Sequence, residues 1–385
     1  MAGLSPAELQ EFADAVDGVL STTWPQPRIA GEDADGGRLS AVWAAAAEYG
    51  WTDLYSDEAL DAVVTALGRL GRHACPLPLM DTYVAARLLA GDSALTTGIA
   101  DGSVRPVVVT AGRDVPSVRY VEGATAATHV VLLLPTEVLA RAIDEVTETP
   151  GLAKPSWSDV RLGAQVLRAT PGVEAIENAK ALLRLGLAAR AVGAAERTVE
   201  HSLVHAKERI AFGKPIGAFQ AVSHRAVDGA TDMTAARGLI REAVEAHLTG
   251  RDSWQLAVQL AVQFAVPAAT RAQFGAQHTL AASGYFEEHD APWLFRRVHA
   301  DASLLDAITL RAGDVADILI STGAGLPSFE LGERAEQFRR EVREFTARFR
   351  TDAAVEHFDN RNREFQDAAA AAGYVTLAWP AAAGG

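Results

Sequence analysis

A long run of apolar residues at helical spacing constrains the fold of this chain more than any other feature. From Glu174 onward, apolar residues recur every three or four positions and only Glu196 is polar on the stripe; the members are Leu182, Leu185, Ala189, Val192, Val199 and Leu203. Such a stripe predicts a long amphipathic helix that other helices must cover. We therefore expect a helical bundle over 173–322. Its further helices are expected at about 219–249, 253–281 and 300–320.

Two other regions precede this predicted bundle. Residues 1–103 carry helical patterns, and the first begins at Ser5 and Glu8, whose S-x-x-E spacing is a helix start signal. From about Val104 the pattern changes to short β-branched or apolar runs bounded by Gly and Pro. These runs predict strands at 106–110, 118–121, 130–134 and 166–168. The sequence thus indicates a mostly α-helical chain with a small β domain over 104–172.

Length and charge exclude several classes of protein. The 385 residues exceed what one compact core usually organises, and 49% are hydrophobic, enough to bury a sizeable core. The net charge of −14 argues against a general nucleic-acid or membrane-surface binder, because phosphate contacts need the opposite sign. An anionic small molecule would have to be held by local arginines. The single cysteine, Cys75, excludes an internal disulfide framework and a multi-cysteine metal site.

The N-terminal segment is acidic where a signal peptide would be basic, and the longest apolar runs are too short to cross a bilayer. A cytoplasmic location is the expectation. No metal site is predicted either. His201 and His205 could share a metal from one helix face, and 287–290 is rich in ligand types, but a solvated pair and a polar loop are the simpler interpretations.

The chain also contains a short internal similarity. Residues 45–54 and 368–377 both show an alanine-rich helix, a glycine, an aromatic residue and then a leucine. The segment 321–328 between them has the composition of a linker. Coincidence between two alanine-rich helix ends is one interpretation. The other is a tandem repeat, in which 329–385 begins a second unit that is cut off at its C-terminal end.

One turn differs from ordinary helix connections. The segment 209–220 reads RIAFGKPIGAFQ, in which a helix stops and another restarts near Phe219. This arrangement places Arg209 and Gln220 on one rim, where a guanidinium fork and an amide suit a pyrophosphate or a heteroaromatic edge. A purely structural turn remains the alternative at this point.

This turn resembles the acyl-CoA dehydrogenase pattern R-x-x-F-G-x-P-I-x-x-F-Q, and Arg209, Phe212 and Gln220 match it residue for residue. The segment 283–290 with the later Arg296-Arg297, and the run Cys75 to Pro78, are similar to other parts of the family. The resemblance covers about 1–325. It implies the family's fold of a helical domain, a β domain and a helical bundle. It also implies bound FAD, and a turn that contacts the adenosine pyrophosphate of a flavin held mainly by a neighbouring subunit. The resemblance of 329–385 to the start of a second copy favours the tandem repeat.

The chain departs from this family at its catalytic positions. The family's Gln-x-x-Gly-Gly contact to flavin reads His278 to Ala282 here, with Gln277 one place out of register as a candidate contact. The residue nearest the usual glutamate base is Asp306, and the alternative base position is Leu183, which cannot accept a proton. Arg184 matches a family arginine near the substrate. The β domain is short for the family and lacks its Thr-Glu-Pro segment.

The resemblance implies flavin-dependent α,β-dehydrogenation of an acyl-CoA thioester. In that reaction a carboxylate removes the α-proton while the β-hydride passes to the flavin. Our first hypothesis is a unit that supports a flavin held mainly by a second acyl-CoA dehydrogenase unit, in the same polypeptide or in another chain, within a dimer or larger oligomer. The alternative is a non-catalytic structural partner of such an enzyme. The acyl group is not fixed by the sequence, although the resemblance makes a bulky or sterol-derived one plausible.

Overall fold

The computed structural model describes residues 3–25, 37–149, 157–306, 308, 312–322, 332–349, 363–377 and 379. The chain divides into two compact units, Met1–Pro327 and Ser328–Gly385. Most of the predicted linker, 323–328, lies outside the described residues, as does the predicted cut-off end at 384–385.

Five helices form the N-terminal part of the first unit. They are α1 (Pro6–Thr23), α2 (Gly37–Glu48), α3 (Leu60–Arg72), α4 (Leu79–Leu88) and α5 (Ser93–Ala100). The start signal at Ser5 is confirmed as a capping box, because the Glu8 amide donates to Ser5 Oγ (3.3 Å) and the Ser5 amide donates to the Glu8 carboxylate (2.8 Å). The cap satisfies amide groups that the first helical turn would leave without partners.

A five-stranded sheet follows. Its strands are β1 (Pro106–Thr110), β2 (Ser117–Glu122), β3 (His129–Leu133), β4 (Val138–Glu148) and β5 (Trp157–Ala169). The order is β1-β3-β4-β5-β2, and β1 pairs with β3 in parallel while the other pairs are antiparallel. Strand β4 was not predicted from the sequence, and β5 is much longer than the predicted run 166–168.

Both faces of this sheet are covered at its centre. On β3, Val131 and Leu133 pack into the large helical core, while Val130 and Leu132 face a second cluster with Val160. A strand that is buried on both faces reads as a continuous apolar run rather than an alternation. This explains why β3 was the easiest strand to predict.

The bundle begins with α6 (Val173–Glu208), 36 residues long, and continues with α7 (Gln220–Leu248), α8 (Trp254–Leu280), α9 (Ala291–Asp306) and α10 (Ala312–Thr322). The long helix predicted from the apolar stripe is thus confirmed. The helix predicted at 300–320 is wrong as a single element, because α9 and α10 are separate. Between α6 and α7 the chain forms a two-stranded hairpin of β6 (Ile210–Ala211) and β7 (Lys214–Pro215), where only a turn was predicted.

Helices α3 and α6 touch backbone to backbone. A Cβ atom added to Gly193 on α6 would lie 2.1 Å from the carbonyl oxygen of Gly68 on α3. One added to Gly71 would lie 2.0 Å from the carbonyl oxygen of Arg190. No side chain fits at either point, so these glycines set the distance between the two helices.

The second unit contains α11 (Glu333–Ala347) and α12 (Arg363–Ala371). After α12, Gly373 has φ +78° and a 3-10 turn follows over Tyr374–Thr376. After α2 in the first unit, Gly50 has φ +76° and a 3-10 turn follows over Trp51–Asp53. The similarity between 45–54 and 368–377 therefore extends to the backbone conformation of the glycine stop.

The predicted fold class, mostly α-helical with a small β domain, is confirmed. Within the described residues, every helix is either too short or too polar to span a membrane.

The close contact of α3 and α6 gives a stability prediction. Gly193→Ala forces the two backbones apart, and we expect it to lower the free energy of unfolding by about 1–3 kcal/mol. Urea denaturation followed by circular dichroism measures the change. Gly238→Ala on α7 is the matched control, because its Cβ would meet no atom within 4 Å. That change should raise stability by roughly 0.5–1 kcal/mol through helix propensity, and a similar loss in both variants would contradict the close-contact argument.

Candidate functional site

A cavity of about 910 Å³ lies where the sheet, α4, α6 and α9 meet. Helix α6 turns Leu183, Gly186, Leu187 and Arg190 toward it, at the three- and four-residue spacing of one helix face. Other parts of the wall come from α4, β1, β2 and α9, and include Met80, Val108, Tyr120, Phe295 and His299. The lining is mostly apolar and includes several charged side chains.

Two of the lining residues, Glu122 and Arg190, belong to a buried network of four charges. Arg190 on α6 donates to both carboxylate oxygens of Asp301 on α9, the shortest contact being 2.6 Å, and to Glu122 on β2 at 2.8 Å. Arg297 on α9 donates to the other oxygen of Glu122 at 2.6 Å and to Asp301 at 2.8 Å. All four side chains are less than 10% exposed. The two guanidinium groups and the two carboxylates therefore form one buried network of charged hydrogen bonds.

The pKa values of the network follow this pairing. Burial acts to raise the pKa of Glu122, but the guanidinium groups of Arg297 and Arg190 hold it below its usual value. Burial acts to lower the pKa of Arg190, yet Asp301 and Glu122 raise it above its usual value. Glu122 and Arg190 thus stay charged at neutral pH, and both oxygens of Glu122 are already used.

Asp81 on α4 lies next to this network on the cavity wall. Its carboxylate accepts a hydrogen bond from the Val108 amide of β1 at 2.7 Å. Burial raises the pKa of Asp81 to about 6, although the Val108 amide and the charge of Arg190 both act to lower it. Asp81 therefore changes charge near neutral pH, at the point where α4 meets the sheet.

His299 is the other titratable group on the wall. Its Nε2 atom is buried and has no hydrogen-bond partner among the residues that the structure describes. Its ring contacts Phe295 at 4.2 Å and Phe274 at 5.4 Å between centroids. Burial lowers the pKa of His299, so the imidazole is neutral at neutral pH.

The predicted base positions do not bring a carboxylate into the cavity. Leu183 lines it, as expected for the alternative position. Asp306 lies exposed at the C-terminal end of α9, outside the cavity lining. Arg184 is directed elsewhere: its Nε donates to the carbonyl oxygen of Ile308, and burial lowers its pKa. The catalytic role predicted for Asp306 thus gains no geometric support.

The segment 209–220 forms an exposed hairpin at the end of α6. Arg209 caps the helix, and Phe212 and Gly213 both have positive φ (+52° and +79°), as a two-residue hairpin turn requires. Phe212 is 95% exposed, and Arg209 and Gln220 are exposed as well. A bulky residue in the left-handed region costs about 1–2 kcal/mol. The three predicted contact residues are thus all exposed to solvent, Arg209 and Phe212 at the hairpin and Gln220 at the start of α7.

The side chain of Gln277 makes its hydrogen bond within the chain. It is buried, and its Nε2 donates to the carbonyl oxygen of Gly284 at 2.7 Å, which ties the end of α8 to the following 3-10 turn. The next predicted position, Ala281, has φ +54° and ψ −130°, a conformation suited to glycine. Ala281 thus adopts a backbone conformation that is strained for a residue with a side chain.

Two of the candidate metal ligands, His201 and His289, contact neighbouring side chains. His201 Nε2 lies 3.4 Å from Asp290, and the rings of His201 and His289 are 5.2 Å apart. Among the residues described, no three His, Cys, Asp or Glu side chains are arranged to hold a metal ion.

Sequence reasoning missed the buried network, Asp81 and His299. Asp81 is 27 residues from Val108, and the paired residues of the network are 68 to 175 residues apart in the chain, except for the Arg297–Asp301 pair at i,i+4. That pair was the one available local signal, since two opposite charges on a mainly apolar helix face predict an ion pair.

The two sites differ in how well they suit FAD. The exposed Arg209, Phe212 and Gln220 suit the diphosphate and adenosine half of a dinucleotide approaching from outside the chain. In the cavity, the charged lining groups already have partners: Asp81 with Val108, Arg119 with Asp159, Arg296 with Glu287, and Glu122 with the network. The hairpin therefore suits the diphosphate and adenosine half of FAD better than the cavity suits the flavin ring.

Comparison with known proteins gives consistent matches. The family profile described as acyl-CoA dehydrogenase, C-terminal domain, matches residues 171–304. Acyl-CoA dehydrogenase IpdE2 of Mycobacterium tuberculosis is 32% identical over 256 residues, which cover 65% of this chain and 74% of that protein. An acyl-CoA dehydrogenase of Bacillus subtilis is 38% identical over 113 residues, 29% of this chain and 30% of that protein.

Solved structures show the same fold. The ChsE4-ChsE5 complex from Mycobacterium tuberculosis has a TM-score of 0.69 at 19% identity, covering 85% of this chain and 100% of that chain. A variant of the Tcur3481-Tcur3483 steroid ACAD has a TM-score of 0.68 at 23% identity, covering 82% of this chain and 98% of that chain. At these identities the likeness concerns the fold alone.

The raised pKa of Asp81 gives a pH-dependent stability prediction. Its pKa of about 6 in the folded chain lies above the ordinary 3.8. The folded state therefore favours the protonated form, and Asp81 destabilises the chain progressively as pH rises from about 4 to 7. Asp81→Asn mimics the neutral form. We expect it to match the parent at pH 4 and to be more stable by about 1–3 kcal/mol at pH 8.

Urea denaturation at the two pH values checks this expectation. Asp57→Asn is the control, because Asp57 is fully outside the cavity and exposed. An Asp81→Asn variant whose stability relative to the parent is the same at both pH values would show that Asp81 does not titrate in this range.

Proposed function

The chain belongs to the acyl-CoA dehydrogenase family of FAD-dependent oxidoreductases, and from that premise we propose a specific division of labour. The chain takes part in the α,β-dehydrogenation of an acyl-CoA thioester as a supporting unit. Its hairpin completes the FAD site of a second acyl-CoA dehydrogenase unit, in the same polypeptide or in another chain.

The exposed hairpin is the observation that carries this proposal. Arg209, Phe212 and Gln220 match the family's flavin-contacting pattern, and all three face solvent. A guanidinium group that is free to pair with a diphosphate binds it bidentately, and an exposed aromatic ring offers a stacking surface. A residue held in a strained conformation at a loop tip is typical of a functional position.

The proposal assigns the proton and hydride steps to the second unit. FAD, when bound, would supply the hydride-acceptor chemistry of the reaction. Removal of the α-proton needs a carboxylate near the thioester, whereas this chain has Leu183 at one base position and the exposed Asp306 nearest the other. Arg209 and Gln220 then bind and orient the cofactor of the partner without moving a proton.

A partner unit is consistent with what similar proteins form. The similar ChsE4-ChsE5 structure is described as a complex. Within this chain, the glycine stop of the second compact unit repeats that of the first. We infer that 329–385 begins such a partner unit.

The substrate class follows from the cavity. Its walls are largely apolar and its volume of about 910 Å³ is near the upper end of small-molecule sites. A similar structure is described as a steroid ACAD. We infer that the assembled enzyme acts on a bulky acyl-CoA.

The alternative is that the chain is a non-catalytic structural partner, and two observations favour it. The oxygens of Glu122 are taken by Arg190 and Arg297, and Ala281 stands where glycine is expected. On this view the chain shapes the interface and cavity but does not bind FAD. Flavin affinity in the assembled protein separates the two functions.

We predict that Arg209→Ala weakens FAD binding by the assembled protein, meaning this chain together with its flavin-holding unit. One charge-assisted contact contributes roughly 1.5–3 kcal/mol, so the Kd should rise about ten- to a hundredfold. Equilibrium ultrafiltration with FAD measures the Kd, and circular dichroism verifies that helix content is unchanged.

Arg241→Ala is the matched control, because Arg241 is an exposed arginine on α7 about 30 Å from Gln220 along the helix. Equal FAD affinity in Arg209→Ala and the parent would leave only the structural role of the turn.

We also predict that residues 1–385 alone retain little flavin. After expression, addition of excess FAD and desalting, the visible spectrum should show far less than stoichiometric flavin and no bleaching with a panel of acyl-CoA thioesters. A stoichiometric band that bleaches with substrate in the parent but not in Asp306→Asn would make this unit a complete enzyme and overturn the proposal.

A further inference from the structure

One carboxyl group on the cavity wall, that of Asp81, uses only one of its two oxygens within the described part of the chain. Oδ1 accepts a hydrogen bond from the Val108 amide at 2.7 Å. Oδ2 accepts none from another described residue, and it keeps accessible surface, unlike the fully buried polar atoms that lack a partner. A carboxylate oxygen can accept about two hydrogen bonds. Oδ2 of Asp81 is therefore open to a donor that enters the cavity.

The accessible surface of Asp81 lies at the cavity. Between Leu79 and Ala86 on α4, Asp81 is the one residue that is not buried. Leu79 and Met80 beside it line the same cavity, and so does Val108, to which its other oxygen is bonded. Because the residues around it on α4 are buried, the part of Asp81 that stays accessible faces the cavity.

The other charged side chains of the lining are already held by protein groups. Their partners are the buried network for Glu122 and Arg190, Asp159 for Arg119, and Glu287 for Arg296. Both oxygens of Glu122 are bonded within the network, whereas Asp81 has one bonded oxygen. A ligand that enters the cavity therefore meets Asp81 as the carboxylate that can still accept a hydrogen bond.

The charges beside Asp81 select a neutral donor. The positive charge of Arg190 acts to lower the pKa of Asp81, and the charge of Glu122 acts against it with a smaller effect. A cationic group at Oδ2 would be repelled by Arg190, and an anionic group would be repelled by Asp81 itself. A hydroxyl group donates a hydrogen bond without carrying a charge. The rest of the lining is mostly apolar, which suits a hydrocarbon body.

We propose that the cavity binds a neutral, largely apolar alcohol, whose hydroxyl group donates a hydrogen bond to Oδ2 of Asp81. The inference goes beyond the proposed function, because it needs neither FAD, nor the second unit, nor a thioester. The step is binding alone, with no covalent bond made or broken. Asp81 then selects an alcohol over the corresponding ketone, since a carboxylate has no hydrogen to donate to a carbonyl oxygen.

Protonation of Asp81 changes this selectivity. Burial raises the pKa of Asp81 to about 6, so the group is ionised at pH 8 and mostly protonated at pH 5.5. The protonated acid can donate to a carbonyl oxygen, which the carboxylate cannot do. The groups that face Asp81 are the Val108 amide of β1, Arg190 of α6 and Glu122 of β2, and the two charged ones stay charged over this pH range. His299 of α9 is the other lining group that can titrate near this range.

The test uses three probes of one skeleton, decalin, 2-decalol and 2-decalone, which are small enough to turn within a cavity of about 910 Å³. The full chain, without added FAD, is titrated with 2-decalol by isothermal calorimetry, and the other two are measured by competition. At pH 8 we expect 2-decalol to bind about ten- to a hundredfold more tightly than 2-decalone or decalin. At pH 5.5 the ketone should gain about tenfold or more in affinity, because the acid form of Asp81 becomes the major one, whereas decalin should not change.

Two variants identify the residue responsible. Asp81→Asn keeps the shape of the side chain and can both donate and accept at either pH. It should reduce the preference for 2-decalol over 2-decalone to less than about threefold at both pH values. Because this variant retains His299, any pH dependence that remains in it belongs to that residue. Asp57→Asn changes an exposed carboxyl group and should leave all affinities as in the parent.

A second measurement does not depend on the variants being folded. In the parent chain, the carboxyl carbon resonance of Asp81 should titrate at a lower pH when 2-decalol is bound and at a higher pH when 2-decalone is bound. Equal affinities for alcohol and ketone at pH 8, or the parent's pH response in a folded Asp81→Asn chain, would overturn the proposal. Failure of all three probes to bind would overturn it as well. Failure of the flavin experiments would leave it standing, because none of these measurements involves flavin.

Discussion

The mutual arrangement of the sheet and the bundle depends most on the buried network formed by Glu122, Arg190, Arg297 and Asp301. Its members come from β2, α6 and α9, so one set of hydrogen bonds joins the sheet to two helices of the bundle. Desolvation makes such a network weak evidence for net stability, yet removing one partner from a buried pair typically costs about 3–5 kcal/mol. Its main effect is therefore geometric, because the forked donors admit one mutual orientation of the three elements.

The cavity beside this network and the exposed hairpin differ in chemical character. By using both oxygens of Glu122, the network leaves this carboxylate without an unused oxygen to accept from a ligand, and the lining of the cavity is mostly apolar. The cationic and aromatic groups suited to a dinucleotide lie at Arg209 and Phe212, on the exposed hairpin. The proposed division of labour between two units rests on this separation of the hairpin from the cavity.

Much of the fold was predictable because its signals are local. The stripe on α6, the capping box at Ser5 and the apolar run of β3 each depend on neighbouring residues. Strand β4 escaped prediction because its second half is exposed and polar. The hairpin residues were found through a contiguous motif. The network and His299 were not, since ion pairs across 68 to 175 residues and a missing partner leave no pattern in sequence.

Because α6 is long, a small tilt about its backbone contact at Gly193 would move the distant end of the helix. The helix is 36 residues long, about 54 Å, and carries Arg190 near the cavity and Arg209 at the hairpin, about 28 Å apart along its axis. No side chain lies between Gly193 and Gly68 to absorb a displacement, so α3 and α6 must shift together. A tilt of about 2° about that contact would move the hairpin by roughly 1 Å, a distance comparable with the tolerance of a hydrogen bond. The spacing of two glycines therefore affects how accurately the exposed hairpin at the end of α6 is positioned.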